Sequence, residues 1–220
     1  YYSDGISEKI IGKFFKIKKN RKDITIVSKI HGDLSKKTIE KCVHGSLMRM
    51  NTDHIDYYGV THDPNTNLDE ILEVMDRFQK EGKILRVACN NYDISMLKSS
   101  KQIQEKNNFS KFGLLETVYN VLYRGAEKKL INYCDLENID ILSYSPLGAG
   151  FITGKYKNGQ VSPKKTRFDI KPSHKDIYFN DVFFETMNKL EKLSNETNLS
   201  LIELALSWVL SRNFLSSILT

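Results

Sequence analysis

The feature that most constrains the fold is a regular alternation of helical and extended segments along all 220 residues. Apolar residues recur at helical spacing in one segment, and the next segment is a short β-branched run. Strands that alternate with helices indicate parallel β-α units. The predicted helices cover residues 7–18, 35–50, 68–81, 95–106, 126–137, 176–197 and 201–212. The predicted strands cover residues 24–30, 55–61, 84–90, 114–121, 139–145 and 216–220.

The missing Gly-x-Gly-x-x-Gly turn bears on which parallel architecture the chain adopts. Its absence argues against a doubly wound dinucleotide-binding domain. The sequence therefore predicts an α/β fold, a (β/α)8 barrel, in one domain over residues 1–220. Six predicted strands are two short of eight, so we expect the N-terminal strands of the barrel to lie outside this sequence. Residues 148–173 are predicted to form an irregular functional loop.

Composition excludes several classes of function. The formal net charge is +6, but the Lys residues are scattered, with no basic cluster interleaved with aromatics, so no nucleic-acid partner is predicted. No apolar run approaches the roughly 20 residues of a membrane span, so no membrane insertion is predicted. Three widely spaced cysteines without a Cys-x-x-Cys pair favour a reducing, cytoplasmic setting and no metal site. The positive bias suits an anionic phosphate ligand.

A tyrosine and a lysine frame the first predicted helix and strand. Tyr2 opens the segment Tyr-Ser-Asp-Gly-Ile-Ser-Glu, and Lys29 ends the segment Ile-Val-Ser-Lys. Free Tyr titrates near about 10, but a cation about 4 Å away interacts by roughly 4 kcal/mol in a surface-like dielectric. A neighbouring ammonium would therefore bring the phenol into the range of useful acid catalysis. The alternative is an exposed aromatic residue and an unrelated surface lysine.

Seven segments, in order along nearly the whole chain, resemble the aldo-keto reductase superfamily. They are the segment from Tyr2 to Glu8, the strand ending in Lys29, and SLMRMNTDHIDYY, EGKILRVACNNYD, ETVYNVLYR, LSYSPLGAGFITGKY and ELALSWVLSR. Bacterial oxidoreductases and potassium-channel beta subunits of that superfamily look most similar. The resemblance implies NADPH-dependent reduction of a small-molecule aldehyde or ketone on a (β/α)8 barrel.

The same resemblance implies catalytic and cofactor-binding residues. Tyr2 would be the general acid, Lys29 would depress the pKa of its phenol, and His62 would orient the substrate. Tyr144 would stack on the nicotinamide, which fixes the hydride that faces the substrate. The other implied cofactor contacts are Asn90, Asn91 and Glu116 at the carboxamide, Ser145, Leu147 and Gly148 at the diphosphate, and Lys155 and Arg167 near the phosphates.

Each cofactor assignment has a structural alternative. Tyr144 would otherwise be an aromatic residue that lines the barrel. Asn90 and Asn91 would otherwise form a polar turn after a strand, and Lys155 would otherwise be a solvated loop lysine.

The chain departs from the family pattern at two site positions. Counting from Thr52 and Asp53 places the family's histidine position on Thr61, with His62 one residue later, and a one-residue slip on a strand reverses the face of a side chain. Glu116 stands where the family has a Gln. A carboxylate accepts from the carboxamide NH2 but cannot donate to its C=O, and it favours the cationic oxidised cofactor. The carboxylate that pairs with the lysine in the family would lie upstream of residue 1, and by the same resemblance the C-terminal end of the barrel would lie beyond residue 220.

These departures motivate a different class of function. The alternative is a cofactor-binding regulatory subunit or a degenerate enzyme with weak or no turnover. A further alternative is another β/α-barrel enzyme that takes phosphate-bearing substrates and binds no nicotinamide. The preference for NADP over NAD depends on the resemblance alone, and the substrate and the oligomeric state are not specified by the sequence.

Overall fold

The structure is a computed structural model that describes residues 2–30, 32–61 and 66–220, with only the backbone described at Tyr2 and Ser3. The strands are β1 (Val27–Ile30), β2 (Ile55–Thr61), β3 (Ile84–Asn90), β4 (Phe112–Val118), β5 (Asp140–Tyr144) and β6 (Ser217–Leu219). The helices are α1 (Ile6–Lys18), α2 (Lys36–Met50), α3 (Leu68–Lys80), α4 (Ile94–Asn107), α5 (Leu130–Leu136), α6 (Arg167–Ile170), α7 (Lys175–Tyr178), α8 (Asp181–Thr197) and α9 (Leu201–Leu210).

The six strands follow chain order across one sheet, from β1 to β6. The pairs β1–β2, β2–β3, β3–β4 and β5–β6 are parallel. This order, with helices between successive strands, confirms the α/β class and corresponds to part of a (β/α)8 barrel. The described chain forms two compact units, one of Tyr1–Glu116 with Asn132–Asp140 and one of Thr117–Ile131 with Ile141–Thr220. The single domain over residues 1–220 stays a prediction.

The core of the first unit lies between the sheet and the helices that follow its strands. Ile55 and Val60 of β2 and Ile39 and Val43 of α2 have no exposed surface. The phenol of Tyr58 is buried with them, and this burial raises its pKa well above the usual value. The apolar residues at helical spacing in α2 therefore form the interior, whereas Ile10 and Phe14 of α1 are 62% and 43% exposed.

The core of the second unit is an aromatic cluster. Phe151, Tyr156, Phe168, Tyr178 and Phe184 are all buried in it. The rings of Tyr156 and Phe168 meet edge to face with centroids 4.7 Å apart, a geometry that aromatic quadrupoles favour.

The first strand begins three residues later than the predicted range of 24–30. Arg21 donates a 2.7 Å hydrogen bond to the carbonyl of Ile24, and the N–H of Ile26 donates to a carboxylate oxygen of Asp56 at 2.9 Å. Arg21 also forms an ion pair with Asp56 at 2.7 Å. These side chains occupy backbone groups that a strand would pair, so β1 starts at Val27.

Other boundaries differ from the predictions for local reasons. The strand predicted over 114–121 ends at Val118, because the Asn120 side chain caps a turn by accepting from the N–H groups of Leu122 and Tyr123. The helix predicted over 126–137 breaks at Lys129, whose φ of −148° is not helical. The segment 148–173 was wrongly predicted to be irregular throughout, since it contains helical turns at Gly148–Thr153, Arg167–Ile170 and Pro172–His174.

Gly12 of α1 lies against the last turn of α2. A methyl group there would stand 2.4 Å from the Arg49 carbonyl oxygen and 2.9 Å from the Met50 carbonyl carbon. We expect Gly12→Ala to lower the free energy of unfolding by roughly 2–3 kcal/mol, because the two helix backbones must move apart. Urea unfolding measures the change. Gly125→Ala is the control, since its methyl would meet no atom within 4 Å, and equal losses in the two variants would contradict the packing argument.

Among the described residues, no helix combines the length and the apolar character that crossing a membrane requires.

Candidate active site

An ion pair between β1 and β4 is the most unusual feature of the first unit. The Nζ atom of Lys29 lies 2.5 Å from the Oε1 atom of Glu116, and the two side chains are only 15% and 7% exposed. A hydrogen bond between charged groups at this distance is among the strong ones. The pair therefore fixes an ammonium group near the carboxyl ends of the strands, where parallel β/α folds carry their sites.

Small residues on the intervening strands let the lysine lie across the sheet. In the strand register Lys29 is opposite Gly59, and Gly59 is opposite Ala88. A Cβ atom at Gly59 would stand only 3.3 Å from the Cβ atom of Lys29. A larger residue at position 59 would therefore displace the lysine stem from its path toward Glu116.

Thr61 and Asn90 follow the same register, and Asn91 comes directly after β3. Thr61 is opposite Asn90, and Asn90 is opposite Glu116, so these side chains share one face of the sheet with Lys29. Thr61 donates to the carbonyl of Ile30 at 3.2 Å. Asn91 has a φ of 58°, donates its N–H to the carbonyl of Glu116 at 2.8 Å, and its side chain donates to Asn90 Oδ1 at 3.0 Å. The register thus brings Lys29, Asn90, Asn91 and Glu116 to one edge.

Two predicted catalytic side chains lie outside the described residues. The backbone of Tyr2 belongs to a 3₁₀ turn, Tyr2–Gly5, directly before α1, but its side chain is not described. His62 is also outside the described residues, in the gap 62–65 that follows β2. Their roles stay predictions.

In the second unit, a turn held by Asn120 follows β5. The Nδ2 group of Asn120 donates to the carbonyl of Ser145 at 3.0 Å, and the N–H of Gly148 donates to the same carbonyl at 2.9 Å. Asn120 has no exposed surface and uses both ends of its amide. Sequence reasoning missed this residue, although it stands in the quoted segment ETVYNVLYR. Tyr144, half-buried, ends β5 immediately before Ser145.

The turn continues through consecutive residues in the left-handed region. Gly148, Ala149 and Gly150 have φ values of 58°, 56° and 87°. A Cβ atom at Gly148 would stand 3.1 Å from the ring of Tyr178, and one at Gly150 would stand 3.2 Å from the Nζ atom of Lys155. Lys155 therefore places its ammonium directly over a backbone turn of small residues. Leu147 packs on the aromatic cluster behind this turn.

The second unit carries a further group of cations at Arg167. Arg167 begins α6, and the next residue, Phe168, is buried in the aromatic cluster. Burial, with the nearby charges of Arg167 and Lys171, lowers the pKa of His174 below its usual value. Arg167 and Lys171 therefore lie near His174, and α6 also carries Asp169, which accepts from the N–H of Lys165 at 2.7 Å. Tyr178 lies with Phe168 in the aromatic cluster, and burial raises the pKa of its phenol to about 12.

The described residues contain no group of three or more His, Cys, Asp or Glu side chains arranged to hold a metal ion. The site groups of the first unit are the Lys29–Glu116 ion pair and the amides of Asn90 and Asn91, and those of the second unit include the Asn120 amide and the Lys155 ammonium.

Comparisons with known proteins identify a family and several relatives of this chain. The model of the aldo/keto reductase family matches residues 1–220. One relative is the Schizosaccharomyces pombe protein named aldo-keto reductase yakc [NADP(+)]. It is 26% identical to this chain over 96% of this chain and 64% of that protein. The aldo-keto reductase YhdN of Bacillus subtilis is 26% identical over 96% of this chain and 65% of that protein. This chain thus spans about two thirds of the length of these relatives.

A solved structure with the same fold is the glycerol dehydrogenase AKR11B4 of Gluconobacter oxydans. Its TM-score is 0.78, with 23% identity, over 99% of this chain and 68% of that one. The family match over every residue and the strand order point to one conclusion: the chain belongs to the aldo/keto reductase family, a family of oxidoreductases.

Proposed function

We propose that the protein is a cytoplasmic, NADPH-dependent oxidoreductase that reduces a small aldehyde or ketone to an alcohol. The observation that carries this proposal is the Lys29–Glu116 pair, at 2.5 Å and largely buried. An ammonium held near strand ends, beside the segment that bears Tyr2, is what a phenol needs to act as an acid near neutral pH.

The second unit supplies groups that fit a dinucleotide phosphate. The ammonium of Lys155 stands over Gly150, in a turn of residues that bring no bulky side chain toward a ligand. Ser145, Leu147 and Gly148 form the approach to this turn, and Arg167 adds a second cation. The NADP(+) in the name of the yakc relative supports the choice of cofactor.

The proposed reaction adds a hydride to the carbonyl carbon and a proton to the carbonyl oxygen. The nicotinamide, when bound, supplies the hydride. The hydroxyl of Tyr2 donates the proton and is reprotonated by solvent, and Lys29 stabilises the phenolate left in between. In this proposal Asn90 and Asn91 would hold the carboxamide of a bound nicotinamide, Tyr144 would stack on its ring, and His62 would orient the carbonyl.

A panel of aliphatic and aromatic aldehydes and ketones, incubated with NADPH, tests this function. We expect at least one substrate to cause loss of nicotinamide absorbance that depends on the protein. NADPH binding at micromolar concentration without turnover on every substrate would reject the enzyme and favour the second candidate.

The second candidate is a cofactor-binding regulatory subunit or a degenerate enzyme. Two observations favour it. Thr61 shares the face of Lys29 and donates its hydroxyl to the backbone of β1, and Glu116 is engaged by the lysine. In this candidate the protein binds the cofactor and turns over carbonyl substrates weakly or not at all.

Replacing Lys155 tests the cofactor site itself. We expect Lys155→Met to weaken NADPH binding about 10-fold or more, because a charge-assisted hydrogen bond contributes roughly 1.5–3 kcal/mol. Lys157→Met is the matched control, since Lys157 pairs instead with Glu191 at 2.7 Å. Fluorescence titration measures both dissociation constants. Equal affinity in the two variants would remove Lys155 from the site.

A further inference from the structure

Arg49, at the end of α2, packs its side chain against two glycines. A Cβ atom at Gly5 would stand 2.5 Å from its Nε atom, and one at Gly45 would stand 2.7 Å from its Nη1 atom. A Cβ atom at Gly12 would stand 2.4 Å from the backbone carbonyl oxygen of Arg49. The guanidinium therefore occupies space that only glycine leaves free, between the start of α1 and the last turns of α2.

The partner of this guanidinium is Glu8, whose two carboxylate oxygens are both engaged. Oε2 accepts from Nε of Arg49 at 2.7 Å and lies 2.6 Å from its Nη2. Oε1 accepts from the hydroxyl of Ser28 at 2.9 Å. The Glu8 side chain is 13% exposed, so its carboxylate oxygens are satisfied by these partners more than by water.

The positions of these partners connect two segments of the proposed site. Glu8 lies three residues after Gly5, which closes the Tyr2–Gly5 turn with a φ of 83°. Ser28 immediately precedes Lys29 on β1, and neighbouring strand residues face opposite sides of the sheet. Glu8 thus holds the segment bearing Tyr2 to the strand bearing Lys29, from the side away from the Lys29–Glu116 pair.

We propose that Glu8 and Arg49 are positioning residues that set the distance between the Tyr2 phenol and the Lys29 ammonium. The inference rests on the proposed function of Tyr2. Neither residue touches the substrate. Their ion pair and the Ser28 hydrogen bond fix the geometry that the acid needs, and an error of about 1 Å in such geometry lowers a rate by up to about 100-fold.

The test is Glu8→Gln, which keeps the volume of the side chain and removes its charge. We expect kcat with NADPH and an accepted aldehyde to fall about 10- to 100-fold, with the NADPH dissociation constant within about twofold of wild type. In the pH profile of kcat, the decline at high pH (the high-pH limb) should also move to higher pH. A protonated phenol is required for reduction, and a phenol farther from the ammonium loses its proton at higher pH.

Glu40→Gln is the matched control, because Glu40 pairs with Arg77 at the same 2.7 Å on the outer helices of the same unit. It should leave kcat and its pH profile unchanged. Circular dichroism establishes that each variant is folded at the assay temperature. If Glu8→Gln does not fold, Ser28→Ala removes one hydrogen bond and should lower kcat about threefold, with the same shift of the limb.

A Glu8→Gln enzyme that melts earlier but keeps the wild-type kcat and pH limb would overturn the inference and leave only a structural ion pair. A lower kcat with an unmoved limb would overturn it too. Full turnover by Tyr2→Phe would instead overturn the proposed function, so the two failures are distinguishable.

Discussion

Tyr2→Phe is expected to lower kcat by about 1,000-fold or more while the affinity for NADPH changes by less than about twofold. The substitution removes one hydroxyl and keeps the ring. General acid catalysis contributes typically 100- to 10,000-fold, so loss of the only proposed proton donor has an effect of this size. Stopped-flow measurement of hydride transfer, with a parallel fluorescence titration of NADPH, gives both quantities.

The control is Tyr58→Phe, in the same unit. Tyr58 has a phenol that is buried in the core rather than placed in the proposed site. Its loss should change stability and leave kcat within about twofold of wild type. A Tyr2→Phe enzyme that retained the wild-type rate would show that the proton comes from another group, and the proposed mechanism would then be wrong.

The helices and strands were predictable because their signals are local. The strands Ile55–Thr61 and Ile84–Asn90 begin and end where the sequence predicted, since each is a mainly apolar or aromatic segment between polar turns. The start of β1 was not predictable in this way. It depends on Arg21 and Asp56, which are 35 residues apart and meet only in the folded chain.

The site residues also divide into those that sequence motifs identify and those that only the folded chain brings together. The motifs identified Lys29 and Glu116 as site positions, but no local pattern pairs two residues that are 87 apart. Their contact depends on the strand register, which puts Gly59 and Ala88 beside the lysine stem. Sequence reasoning assigned Glu116 to the carboxamide of the cofactor, and the structure adds a partner that the assignment did not include.

Asn120 is a residue of the second unit that the sequence did not identify. An asparagine after a strand reads as an ordinary turn residue, and the turn that it makes with Leu122 and Tyr123 is local. Its second role, the hydrogen bond to the carbonyl of Ser145, requires that two strand ends be adjacent. A buried amide with both ends engaged is a stronger signal than sequence spacing, and that signal exists only in the fold.

Lys29→Met should have two separate consequences. The Glu116 side chain is 7% exposed, so its carboxylate would be left buried beside a methionine. Removing one partner of a buried ion pair destabilises a protein by roughly 3–5 kcal/mol, and we expect a loss near the lower value because Lys29 itself is 15% exposed. Turnover should fall below detection, because the proposed acid loses the cation that favours its phenolate.

The double variant Lys29→Met with Glu116→Gln separates these consequences. It removes the unpaired charge, so more than half of the lost free energy of unfolding should return, while turnover stays absent because the ammonium is still missing. Glu116→Gln alone keeps the ammonium and should retain measurable turnover. The free energy of unfolding would then depend on whether a buried charge is left without its partner, and turnover would depend on Lys29 alone.

Urea unfolding of the wild type, both single variants and the double variant gives the coupling energy of the pair as a double-mutant cycle. NADPH oxidation by the same four proteins gives the second quantity. A Lys29→Met protein as stable as wild type would show that the pair contributes nothing to folding. Turnover by the double variant would show that the ammonium is not needed for the proton transfer. The two predictions can fail independently. Urea unfolding therefore tests the role of the pair in stability, and NADPH oxidation tests the role of Lys29 in proton transfer.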